Sequence, residues 1–132
     1  MRRLVLDASA AGEYLLRTPL GQEVAALVQG ALLFAPALLD AEVLAILRKA
    51  VLSGKLGEVR AREALEDLAR WPLRRVDHRH LLEEAWALKE RVTAYDALYV
   101  ALARRLSAPL LTADGPLART PDLGVPLIHL RP

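Results

Sequence analysis

Short apolar runs recur along the chain, and a stretch with helical patterning follows almost every one. Runs at residues 4–6, 32–35, 109–111 and 127–130 are each three or four residues long and read as strands, and Leu73–Val76, which carries two arginines, is read as a further one. Segments 8–17, 21–29, 36–53, 58–71, 79–91 and 93–106 carry apolar residues at helical spacing, and residues 112–116 read as a loop into a short helix. Pro36 is expected to open the helix that runs to Ser53, since the first helical turn tolerates a missing N–H. Gly54 and Pro72 stop the third and fourth helices. Buried strands alternating with helices predict an α/β chain with a short, mainly parallel central sheet and helices on both faces. Crossovers between such strands are right-handed. Nothing resembling a linker or a repeat divides the 132 residues, so a single domain over 1–132 is expected.

The same pattern says where a site belongs. Ligands of open parallel sheets bind at the carboxyl ends of the strands, and Asp7 and Asp114 both lie just beyond predicted strands. The available chemistry is narrow. The chain has no Cys and three His, which excludes thiol catalysis, disulfides, iron–sulfur clusters and Cys-based zinc sites. Carboxylates and hydroxyls must carry any reaction, and a metal held by them is a hard cation that takes oxygen ligands. The +2 net charge, 18 basic against 16 acidic residues, does not by itself mark a nucleic-acid binder. No apolar stretch reaches the ~18–20 residues of a membrane span. The run after Arg2-Arg3 stops at Asp7, so it is not a signal-peptide core, and a cytoplasmic location is expected.

Most of the acids need no special explanation. Glu63, Glu66 and Asp67 among Arg60, Arg62 and Arg70 read as a solvated helix face with i,i+4 pairs. Asp96 is different. On a helical wheel it falls among Tyr95, Tyr99, Val100 and Ala103, opposite Arg104 and Arg105. An inward carboxylate is costly unless paired, hydrogen-bonded or bound to a cation. Thr93-x-x-Asp96 also has capping-box spacing, which accounts for an acid near the helix start but not for its direction. Asp7 and Asp114 are each equally consistent with helix N-caps. Glu42 and Asp40 flank the stripe of Leu39, Val43, Ile46 and Ala50 on its two sides, and periodicity does not choose between them. Carboxylates gathered in one crevice repel one another, and a divalent cation is the usual way to hold several ionised. Mg²⁺ combines a few carboxylates with waters and substrate phosphate oxygens, which points to phosphodiester chemistry.

Four segments together resemble the PIN-domain nucleases, most closely the toxins of VapBC-type toxin–antitoxin pairs. They are Leu4-Val5-Leu6-Asp7-Ala8-Ser9, the Pro36-led segment with Glu42-Val43, Thr93-Ala94-Tyr95-Asp96-Ala97-Leu98-Tyr99, and Leu110-Leu111-Thr112-Ala113-Asp114. The similarity spans essentially the whole chain. It implies a PIN-like three-layer α/β/α fold and selects Glu42 over Asp40. It further implies Asp7, Glu42, Asp96 and Asp114 as ligands of Mg²⁺ or Mn²⁺, with Ser9 and Thr112 supporting them. Some relatives have a further acid shortly after the fourth segment, whereas here Gly115-Pro116-Leu117-Ala118 follows.

The resemblance implies a metal-dependent endoribonuclease toxin that cuts RNA to a 5′-phosphate and a 3′-hydroxyl, forms a homodimer and is neutralised by a cognate antitoxin. Which carboxylate accepts the proton stays open. Arg2, Arg3, Arg17, Arg48, Lys49, Arg74, Arg75 and Arg79 are the candidate RNA-backbone contacts. The apolar helical stretch 36–71 is a candidate groove for a partner helix. A non-catalytic PIN-like binding module is the alternative, although all four acids are present. A receiver-type phosphoacceptor domain is a further one, disfavoured because Asp7 stands alone and no Lys follows residue 89.

Overall fold

The computed structural model describes residues 1–131. Five strands form one sheet: β1 (Arg3–Leu6), β2 (Leu32–Pro36), β3 (Arg74–Val76), β4 (Leu110–Thr112) and β5 (Leu127–His129). Their order is β3-β2-β1-β4-β5, and every pairing is parallel. The strand order reverses between β1 and β4, so the crevice beyond their carboxyl ends is the switch point where such sheets bind ligands. A receiver-type sheet has the order 2-1-3-4-5, and the observed order excludes it.

Helix α1 (Ala8–Leu16) starts where Asp7 caps it, accepting the Ala10 N–H at 2.9 Å. Arg17, with φ 56°, ends it in the left-handed conformation rather than extending it. Thr18 caps α2 (Pro19–Val28), accepting the Gly21 N–H at 3.0 Å, with Pro19 in the first turn. The two helices touch at Gly21, where a Cβ would lie 2.0 Å from the Glu13 carbonyl oxygen. Helices α3 (Leu38–Leu52) and α4 (Glu58–Arg70) complete this layer around α1.

The opposite layer is built on α6 (Ala94–Leu106), which packs on β1, β2 and β4. Its residues Ala97 through Ala103 are all buried. This α/β/α arrangement encloses a core of Leu4–Leu6, Leu39, Val43, Leu47, Tyr99, Val100, Leu110 and Leu111. Among the described residues no helix is long and apolar enough to cross a membrane.

Three expectations fail locally. Pro36 closes β2 instead of opening a helix: it pairs with Val76, and the next N–H, that of Ala37, donates to the Val76 carbonyl at 2.9 Å. A proline is tolerated there because it is the strand's last residue. The expected helix over 79–91 is broken into a 3-10 turn (His78–Leu81) and a short α5 (Leu82–Trp86). Beyond Trp86 the backbone tightens, with Leu88 N–H bonded to Ala85 and Arg91 N–H to Leu88. The stripe on α3 is Leu39, Val43 and Leu47; Ile46, assigned to it from the sequence, is partly exposed.

Candidate active site

Asp7 and Thr112 are the two polar residues buried in the core among the described residues. Asp7 stands at the end of β1, and Thr112 ends its neighbour β4. The Thr112 hydroxyl donates to Asp7 Oδ2, and the Ser9 hydroxyl donates to Oδ1 at 2.6 Å. With the Ala10 N–H also on Oδ1, the carboxylate has three donors. The network continues outward. Thr112 Oγ1 accepts the Asp114 N–H at 2.9 Å, and Ser9 Oγ accepts the Ala113 N–H at 2.9 Å. Asp114 caps the short helix α7 (Gly115–Ala118), its Oδ1 accepting the Leu117 N–H at 3.1 Å. The capping roles of Asp7 and Asp114 are therefore real, and they fix both acids at the switch point.

Asp96 comes from the first turn of α6, where its N–H donates to Thr93 Oγ1 at 3.1 Å. Glu42 comes from the second turn of α3 and accepts the Tyr99 hydroxyl at 2.6 Å on Oε1. Both acids are half-buried. Tyr95, assigned to the buried face from the sequence, is 59% exposed. Arg104, read as solvent-facing, is partly buried, and its Nε donates to the Leu123 carbonyl at 2.6 Å.

The acids sense one another. Burial pushes Asp7 above the ordinary carboxylate range against its three donors, and the Asp114 charge adds to the push. Burial raises Asp96 too, followed by the charges of Asp114 and Asp7. Glu42 is raised by burial and by Asp96, while the Tyr99 hydrogen bond pulls it back. Asp40, by contrast, is bound to Arg75 at 3.0 Å and takes no part in this cluster.

The donor set is that of a hard cation: carboxylates, with two hydroxyls holding one of them in place. Among the described residues no three of His, Asp and Glu converge closely enough to enclose an ion by themselves. That suits a cation such as Mg²⁺, which keeps several waters and takes one or two carboxylates directly. An open cleft of about 410 Å³ lies alongside, its lining including Lys89, Glu90, Arg91, Thr93, Asp96 and Pro116.

The basic residues singled out from the sequence do not surround this cleft. Arg2 and Arg3 lie at the amino end of β1, and Arg74 at that of β3, on the far edge of the sheet from Asp7. Arg75 is spent on Asp40 and on the carbonyls of Leu68, Trp71 and Leu73. Arg79 is paired with Asp77, whose carboxyl it holds down at about 2. Arg17 faces Asp67 at 3.8 Å, and Arg48 and Lys49 are exposed on α3. Lys89, at the cleft, was missed; only the folded loop after α5 brings it near Asp96. Tyr99 was read as core, although its position three residues after Asp96 puts both on one helix face.

The PIN domain model matches residues 4–123. Ribonuclease VapC1 of Mycobacterium tuberculosis is 52% identical over 90 residues, covering 67% of this chain and 68% of the relative. Ribonuclease VapC12 of the same organism is 38% identical over 117 residues, covering 89% and 91%. The crystal structure of VapBC2 from Rickettsia felis, bound to a DNA fragment from their promoter, superposes with a TM-score of 0.66. That likeness has 14% identity and covers 98% of this chain and 99% of the other, so it speaks for the fold alone. With the family model matching residues 4–123 of the chain and a parallel sheet that sets Asp7 and Asp114 at its switch point, the chain belongs to the PIN-domain family.

Proposed function

We propose that this protein is a divalent-cation-dependent endoribonuclease and the toxin of a toxin–antitoxin pair. The observation that carries the reading is the buried Asp7 carboxylate at the switch point, held by the Ser9 and Thr112 hydroxyls, with the Asp114 N–H tied to the same Thr112 oxygen and with Asp96 and Glu42 raised by burial and by neighbouring acid charge. Carboxyls whose pKa is raised by burial and by nearby charge beside a cleft mark functional sites. The VapC relatives named as ribonucleases support the substrate class, and the VapBC likeness supports the antitoxin.

A bound Mg²⁺ or Mn²⁺ supplies positive charge at the scissile phosphate and acidifies the attacking water. Asp7 is the anchor: Ser9, Thr112 and the Ala10 N–H hold its two oxygens in one orientation and favour its ionised form. Asp96 and Asp114 flank it from α6 and from the β4–α7 turn. Glu42 approaches from α3, held by Tyr99. Lys89 stands at the cleft, where a phosphodiester backbone would pass. In-line attack by water leaves a 5′-phosphate and a 3′-hydroxyl.

The partner surfaces follow from exposed apolar side chains. Leu44, Leu52 and Val59 on α3 and α4 are more than half exposed and suit an antitoxin helix. Leu82 and Trp86 on α5 are a second exposed apolar pair, suited to another copy of the chain in a homodimer. Such a toxin acts in the cytoplasm, where its RNA is.

Purified protein incubated with structured RNA tests the reading. Cleavage is expected with Mg²⁺ or Mn²⁺, absent with chelator, and lost in Asp96→Asn. RNA binding without cleavage at any metal concentration favours the non-catalytic module instead.

A further inference from the structure

Tyr99 is 1% exposed, one of the largest side chains sealed in the core. A tyrosine in such a place must find a partner for its hydroxyl, and it finds the Glu42 carboxylate at 2.6 Å. The bond joins the two helical layers across the carboxyl edge of the sheet, from the second turn of α6 to the second turn of α3. Residues 96 and 99 are spaced i,i+3, so the Asp96 carboxylate and the Tyr99 ring leave the same helix face. The Glu42 carboxylate depends on a single side-chain bond. Asp7 has three donors and Asp114 bonds the Leu117 N–H, but Glu42 is half-buried, next to the Asp96 charge, with the phenol as its bonded partner. Without that hydroxyl, desolvation and repulsion would both favour turning the carboxylate out to water.

We propose that Tyr99 is the positioning residue for Glu42: its buried hydroxyl binds Oε1 and aims the carboxylate at the cation site, leaving Oε2 for the cation or for a water held by it. This rests on the cation-site reading above. The role is that of outer hydrogen-bond partners in metal sites, whose removal typically lowers metal affinity by about 10–100-fold.

Mn²⁺ binding to the purified protein, followed by titration calorimetry and by the electron paramagnetic resonance signal of free Mn²⁺, tests it without reference to cleavage. Tyr99→Phe removes only the hydroxyl. It is expected to weaken Mn²⁺ binding by about 10-fold, to match Glu42→Gln within a few-fold, and to add nothing further in the double variant. Glu42→Gln leaves the phenol an acceptor, so it probes the charge with the packing retained even if Tyr99→Phe folds poorly. Losses in the double variant that multiply overturn the proposal, because the two groups then act independently. Wild-type affinity in Tyr99→Phe, with binding lost in Asp96→Asn, overturns the role of Tyr99 alone. No Mn²⁺ bound by the wild-type protein overturns the cation site and this role together.

Discussion

Asp7 and Thr112 are 105 positions apart in sequence, yet the Thr112 hydroxyl donates to Asp7 Oδ2 in the core where β1 and β4 lie side by side. The same Thr112 oxygen accepts the Asp114 N–H, so one side chain fixes the buried acid and the turn that carries the next one. Thr112→Val keeps the shape and removes the hydroxyl. A lost hydrogen bond to a buried charged group costs roughly 1.5–3 kcal/mol. Urea unfolding is expected to show a loss of this size, accompanied by a large fall in RNA cleavage, whereas Thr112→Ser recovers most of both. Full cleavage by Thr112→Val would remove the hydroxyl from the machinery.

Burial of the acids, with the charges of their neighbours, predicts a pH dependence in the metal-free protein. Asp7 and Asp96 are raised from 3.8, and Glu42 from 4.5, the values they return to on unfolding. The folded chain then holds more protons than the unfolded chain at intermediate pH. The stability these groups contribute is complete below the unfolded values and is lost as pH rises through the raised folded ones. With chelator present, the difference in melting temperature between pH 7.5 and pH 5 is expected to shift in favour of pH 7.5 when Asp96 is changed to Asn. Saturating Mg²⁺ or Mn²⁺ is expected to raise the wild-type melting temperature at pH 7.5 and to do little for the variant. Identical pH profiles of the two metal-free proteins would show that Asp96 carries no such strain.

Arg75 separates architecture from RNA contact. Its guanidinium bonds Asp40 and three backbone carbonyls near the end of α4. Arg75→Met removes the donor from Asp40 and from the Trp71 and Leu73 carbonyls, while the Leu68 carbonyl keeps the Trp71 N–H, and is expected to destabilise the fold by about 2 kcal/mol. Lys89→Ala is the complement: stability stays within about 0.5 kcal/mol, KM for RNA rises and the salt dependence of binding weakens. Filter binding at several salt concentrations distinguishes the two. Weaker RNA binding by a folded Arg75→Met protein would reverse the assignment.

Gly21→Ala tests the contact between the first two helices. Its Cβ would meet the Glu13 carbonyl oxygen at 2.0 Å, backbone that moves only if α1 and α2 separate. Overpacking of this kind typically costs 1–3 kcal/mol or more, although alanine is the better helix former. Thermal unfolding is expected to show a net loss, while the acid cluster at the other end of α1 keeps its cation affinity.

Much of the architecture was legible because strand and helix periods are local. Apolar runs at residues 4–6 and 32–35 and helical spacing over 58–71 and 93–106 depend on near neighbours only, and all four segments appear close to where they were read. Pro36 and the broken segment after Asp77 were misread because a strand end and a tightened turn are set by what packs beside them. Val76 takes the ladder bond at the first, and Leu81, Ala85 and Leu88 are buried at the second.

The site divided in the same way. The absence of Cys and the scarcity of His restricted any chemistry to carboxylates and hydroxyls, and the strand-end positions of Asp7 and Asp114 marked the candidate site, both from sequence alone. Only the tertiary structure decided which polar groups lie beside it. It paired Asp40 with Arg75, carried Arg2, Arg3 and Arg74 to the far edge of the sheet, brought Lys89 to the cleft and set Tyr99 on Glu42. A side chain's charge and period belong to the sequence, but its partner is set by which distant segments the fold brings within hydrogen-bond distance.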